Sequence, residues 1–193
     1  MKILETLVGR FFPTVFQADD DPKGFDLWRL PNDPDSPHVG AMRDLFAEIF
    51  DLPAESFDEW LKPVPGLRRL LIVAARKHLI CGGILYQMAD NYGKPPEERV
   101  DGGYVAYIAT NKSARAQGAG RALLDFAHAD LIVNDHQVSR LIRLDPKHSS
   151  FFEAAGYERT EGGTYGDMHK DLDLSEASKA ESQALLNGLM TLY

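Results

Sequence analysis

A single cysteine, Cys81, among 193 residues excludes an intrachain disulfide framework and any CxxC or zinc-ribbon site. It sits in the apolar run HLICGGILY, the setting of a buried structural thiol rather than a nucleophile. Long apolar runs are missing as well, since none reaches the ~18 residues of a membrane-spanning helix. The opening stretch MKILETLVGRFFPTVF carries Glu5 and Arg10 among its apolar residues, which argues against a signal peptide. A cytoplasmic chain with no membrane partner is therefore expected. Positive charge is in deficit: 21 Lys and Arg against 29 Asp and Glu leave a net charge of −8. Nucleic-acid affinity is driven by phosphate neutralisation, so no nucleic-acid partner is expected. His128 and His169 show no metal-ligand spacing to another histidine, and no metal is assigned.

What remains is the composition of an ordinary globular domain, 44% hydrophobic and 26% charged. Its size buries a core without covalent staples. The charge is uneven. Residues 17–62 hold twelve acidic against four basic residues, whereas residues 112–147 hold six basic against four acidic. The second segment suits a small polyphosphate ligand, and both also read as solvated faces.

Periodicity gives the order of elements. FDLWRLP (25–31) alternates as a short strand. Ser36 is an N-cap and Pro37 a first helical residue for an amphipathic helix over 37–51. Ser56 and Glu59 form a capping box for a second short helix. Residues 68–76 and 78–89 are two strands turning at Lys77, and 103–111 is a third. A long helix carries Leu123, Leu124, Ala127, Leu131 and Ile132 on one face. Residues 138–145 form a strand, 149–156 a short helix closed by Gly156, and 157–172 a hairpin. Residues 175–193 read as a helix with Ala180, Leu185, Leu186 and Leu189 on one side. This is an α/β protein whose sheet has mixed strand direction, with a parallel crossover from strand 103–111 to strand 138–145.

Between that strand and the long helix stands SARAQGAGRALLDFAHADL (113–131). A helix start offers unpaired N–H groups and partial positive charge. Gly118 and Gly120 lack Cβ atoms that would hold an anion off the backbone, and Arg115 and Arg121 flank the turn. Two readings fit these residues: a pyrophosphate cradle, or a helix start rich in small residues for close packing. It is neither a Walker A loop nor a dinucleotide fingerprint.

The turn resembles the Gln/Arg-x-x-Gly-x-Gly/Ala motif of the GNAT superfamily of acyl-CoA-dependent N-acyltransferases, with Arg115, Gly118 and Gly120 in register. Some thirty residues on, DPKHSSFFEAAGYE resembles the family's second signature through Phe151, Phe152, Gly156 and Tyr157. The resemblance covers roughly residues 25–172, leaving 1–24 as an N-terminal and 173–193 as a C-terminal helical extension. It implies a mixed, mostly antiparallel central sheet flanked by helices, and acetyl-CoA as the cofactor. The backbone of Ile108 and Thr110 would pair with the pantetheine arm like an added strand. Amides across Ala116, Gln117, Gly118, Ala119, Gly120 and Arg121 would hold the pyrophosphate, and an N–H near Ile108 would polarise the thioester carbonyl. The acceptor would be a small-molecule or peptide amine. Edge strands of this fold often serve dimerisation, so a homodimer is open.

Four positions depart from the family pattern. The tyrosine that protonates the leaving thiolate aligns with Phe152. The signature asparagine aligns with Asp145 and its alanine with His148. The glutamate base of one branch aligns with Tyr104. Tyr104, Tyr107 or His148 could act through water, although each also reads as a packing or surface residue. The acidic helices of 17–62 line the acceptor side in this family, which suggests a cationic amine. Three functions are in play: an acetyl-CoA-dependent N-acetyltransferase, a non-catalytic acyl-CoA-binding or regulatory domain, and an acyltransferase with another donor or acceptor, such as an acyl-homoserine-lactone synthase. The Arg- and Trp-rich N-terminal signature of the last is not evident.

Overall fold

The computed structural model describes residues 25–30, 32–76, 79–91, 93–142, 145–161, 166–188 and 190–191. The expected N-terminal extension, the turn at Lys77 and the helical position Leu189 lie outside them. One eight-stranded sheet organises the chain. Its strands are β1 (Asp26–Leu30), β2 (Leu67–Arg76), β3 (Leu79–Ala89), β4 (Gly103–Thr110), β5 (Val138–Leu141), β6 (Glu158–Arg159), β7 (Met168–Asp171) and β8 (Met190–Thr191). They lie in the order β6-β7-β5-β4-β3-β2-β1-β8. Pairs β4–β5 and β1–β8 are parallel and the other five antiparallel. The central strands β2 and β3 are buried on both faces, which explains why they read as continuous apolar runs rather than as an alternation.

Helices cover both faces. On one lie α1 (Pro37–Phe50) and α2 (Ala54–Leu61); on the other lie α3 (Ala119–Val133), the short α4 (Ser149–Glu153) and α5 (Glu176–Asn187). α1 buries Val39, Met42 and Phe46, the i, i+3, i+7 stripe its periodicity announced. With Phe57, Leu61, Leu71, Val73 and Leu85 these form the core of that face. Ten of the fifteen residues of α3 are buried, because the sheet packs on one side of the helix and α5 on the other. Removing a fully buried ring such as Phe126 or Phe46 costs ~3–5 kcal/mol.

Four expectations need correction. Ser36 stands at the N-cap of α1, but its side chain makes no capping bond. The Ser56–Glu59 capping box does not form. α2 starts earlier, at Ala54, because Pro53 has φ −57° and its carbonyl accepts from the amides of Ser56 and Phe57. Glu59 pairs instead with Lys62. β5 ends at Leu141, not 145, since β7 pairs only with Val138–Leu141 and β4 only with Ser139 and Arg140. The C-terminal segment is not one helix. α5 stops at Asn187 beside Gly188, and β8 then joins the sheet edge next to β1.

Candidate active-site cleft

The cleft arises where two parallel strands part. β4 pairs with β5 only through Gly103–Ser139 and Tyr104–Arg140. From Val105 onward, the edge of β4 that faces β5 has no strand partner among the described residues. Such an edge presents N–H and C=O groups to any extended ligand. The opening is a cavity of about 1150 Å³, lined by β4, the end of α1, the start of α3, the end of β5 and α4.

A β-bulge shapes its floor. The register of β4 on β3 slips between Leu85–Tyr107 and Tyr86–Val105, which leaves Ala106 without an opposite residue. An extra residue breaks strict alternation. Val105 and Ile108 accordingly pack with the α3 face, whereas Ala106 and Tyr107, though adjacent, both pack with the α1 face. Tyr107 meets Phe50 of α1 at 5.3 Å between ring centroids and Phe46 at 6.2 Å. Tyr104 is half-buried beside them. Burial, then Tyr107 and Asp167, hold its hydroxyl above the usual tyrosine range, so it stays protonated at neutral pH.

The opposite wall is the turn into α3. Ala116 and Gly118 both have positive φ, 59° and 93°. At Gly118 this backbone favours glycine; at Ala116 it costs ~1–2 kcal/mol. Alternation of this kind turns successive N–H groups toward one concavity. The first intrahelical bond of α3 runs from the Ala122 amide to the Gly118 carbonyl. The amides of Ala119, Gly120 and Arg121 precede it and belong to the free helix end. A Cβ at Gly120 would lie 3.4 Å from both Phe151 Cζ and Thr110 Cγ2. The glycine therefore keeps open the space between the helix start and the β4 edge.

The structure gathers Tyr104, Ile108, Thr110, Arg115, Ala116, Gly118, Ala119, Gly120, Arg121, Asp145, His148 and Phe152 on this cleft. Gln117 is turned away: its amide donates to Ser113 O at 2.7 Å and its Oε1 accepts from Arg76 at 2.9 Å. Arg121 is tied to Asp125 at 2.8 Å and reaches Ala154 O, whereas Arg115 makes no ion pair among the described residues. Asp145 pairs with Lys147 at 2.6 Å, and that ammonium holds its carboxyl below the usual range. His148 is exposed on the cleft wall. Phe152 is 4% exposed and set edge-on to both Phe151 and Tyr157. Tyr157 packs in the core, with its hydroxyl 2.6 Å from Ser139 Oγ and 2.9 Å from His128 Nε2.

Sequence reasoning missed Ile49, Phe50 and the bulge. The helical period marked Ile49 and Phe50 as apolar, but nothing local said that α1 ends over β4. Three of the acidic residues that suggested a cationic acceptor pair with basic side chains: Glu48 with Lys112, Asp58 with Arg43 and Glu59 with Lys62. Among the described residues, Asp145 is the only carboxylate on the cleft.

No family model matches the chain, and no curated protein matches it in sequence. Solved structures do match in fold. A tandem GNAT protein from the clavulanic acid biosynthesis pathway superposes with a TM-score of 0.59 at 19% identity, over 72% of this chain and 45% of that one. The PaiA N-acetyltransferase of Thermoplasma acidophilum, in complex with coenzyme A, gives 0.54 at 15%, over 77% and 99%. The aminoglycoside 6'-N-acetyltransferase of Enterococcus faecium gives 0.53 at 15%, over 75% and 96%. At these identities the likeness is one of fold.

Proposed function

From the GNAT fold of this chain we propose that it is an acetyl-CoA-dependent N-acetyltransferase acting on a primary amine by direct attack in a ternary complex. One observation carries the reading: an unpaired strand edge and a glycine-opened helix start face the same cleft. The pair fits a long ligand with a hydrogen-bonding arm and an anionic middle. Ile108 and Thr110 would pair with the arm. The amides from Ala116 to Arg121 would hold the pyrophosphate, with Arg115 adding positive charge. Bound acetyl-CoA supplies an acetyl group activated as a thioester.

The chain's own groups then have limited work. A backbone N–H beside the Ala106 bulge polarises the carbonyl. Tyr104, protonated at neutral pH, donates a hydrogen bond rather than taking a proton. For an amine that arrives protonated, His148 is the candidate proton acceptor, through water. Phe152 contributes shape but no proton. A thiol with a pKa near that of cysteine, ~8.5, leaves without a strong acid.

Phe152 also favours a second reading, an acyl-CoA-binding module without chemistry. Free-thiol release from acetyl-CoA over a broad set of amines separates the two. Turnover supports the enzyme; calorimetric binding of acetyl-CoA with no thiol release supports the module.

A further inference from the structure

The two ends of the cleft differ in chemistry. Arg115, Arg121, Asp145, Lys147 and His148 all stand on the turn into α3 or on the approach to α4. The other end is built from rings. Phe50 and Tyr107 lie 5.3 Å apart at 57° between planes, with Phe46 behind them, 5.8 Å from Phe50 and fully buried. Ile49 extends the wall. The bulge puts the small side chain of Ala106 beside Tyr107 on the same face, which leaves room over the floor between Tyr104 and Tyr107. Rings at this spacing bind another aromatic face edge-on or offset.

We propose that the acceptor is a weakly basic primary amine on an aromatic body, which lies against Phe50 and Tyr107 with its nitrogen over the Ala106 bulge. This rests on the acetyl-transfer reading and narrows its substrate. The nitrogen lone pair forms the C–N bond to the acetyl carbon. The C–S bond breaks with its electron pair on sulfur, and the proton released by nitrogen goes to that sulfur or to water. An amine attached directly to a ring is already neutral at neutral pH, so no residue has to deprotonate it before attack. A protonated alkylamine would have to shed its proton against an apolar wall, beside a tyrosine that does not accept one.

The test uses the full chain, acetyl-CoA and four acceptors: a para-substituted aniline, phenethylamine, spermidine and a lysine peptide. The expected order in kcat/KM puts the aniline first by ~10-fold or more, the scale of a lost ring contact plus a deprotonation step. Its kcat/KM stays flat between about pH 6 and 8, because its protonation state does not change. Tyr107→Ala and the milder Phe50→Leu raise KM for the aniline and leave the calorimetric Kd for CoA unchanged. Preference for spermidine or the lysine peptide, with CoA still bound, overturns the acceptor inference and leaves acetyl transfer standing. CoA binding with no turnover of the aniline overturns it as well. Failure to bind CoA at all brings down the underlying reading, and this one with it.

Discussion

Gly120→Ala adds one methyl group to the second residue of α3, between the helix start and the β4 edge. The new Cβ would sit 3.4 Å from Phe151 Cζ and 3.4 Å from Thr110 Cγ2. Contacts this tight ask a few tenths of an ångström from a ring and a methyl, which side chains can give. Alanine is the better helix former by up to ~1 kcal/mol in a helix interior, and by less in a first turn. Stability should therefore stay within ~1 kcal/mol, or a Tm shift of about 2–4 °C for a chain of this size. Ligand affinity should not stay. The methyl occupies the space through which, in the proposed cradle, a phosphate would reach the amides of Ala119, Gly120 and Arg121. Loss of one charge-assisted hydrogen bond costs ~1.5–3 kcal/mol, or roughly 10- to 100-fold in Kd. Calorimetry of CoA binding and thermal unfolding, run in parallel on both proteins, read the two effects separately. Gly120→Val should deepen the affinity loss. An unchanged Kd at an unchanged Tm refutes the cradle, and a fall in Tm with no loss of affinity makes Gly120 a packing residue.

Other consequences follow from the same geometry. A needed general acid is worth ~10²-fold or more; because the thiolate leaves readily, Phe152→Tyr should raise kcat by less than ~10-fold, and a larger rise in steady-state assays would show that Phe152 limits the reaction. His128 is held to a pKa of about 3 against an ordinary 6.5, by burial first and then by Lys170 and Arg121. Burial lowers His136 as well. Between those values the unfolded chain binds a proton that folded His128 refuses, so stability should fall as pH drops from about 6.5 toward 3. Denaturant midpoints at pH 7 and 5 should show that loss in the wild type and a smaller one in His128→Gln, which keeps a partner for Tyr157; equal losses would contradict it. Tyr86→Phe removes the 2.7 Å bond from a buried hydroxyl to Asp130 Oδ2 and should cost ~1–3 kcal/mol in chemical denaturation, because that oxygen is left buried with one donor fewer.

Most elements were legible in the sequence because their periods were clean. The stripe of α1, the apolar runs of β2 and β3, and the glycine turn before α3 each carry a local cause. The candidate cradle could be picked out for the same reason: Arg115, Gly118 and Gly120 lie within six residues of one another. Boundaries were less so, because capping is decided by competition. Pro53 started α2 ahead of Ser56, since its fixed φ and free carbonyl outweighed a side-chain cap. The aromatic wall of the cleft was not legible. Phe50 and Tyr107 are separated by more than fifty residues and meet only because α1 ends over β4. The bulge at Ala106 has no mark of its own in GYVAYIAT, where any of several residues could be the extra one. The charge of residues 17–62 was read correctly, but composition does not say which way a carboxylate points.

The measurement that tests the central claim most directly is a crystal structure of the full chain with CoA. The account places the pyrophosphate oxygens within hydrogen-bond reach of the amides between Ala116 and Arg121. It lays the pantetheine arm along Ile108 and Thr110, with the sulfur near the Ala106 bulge beside Phe152. CoA bound elsewhere, or bound in the cleft with its phosphates away from that turn, would contradict it.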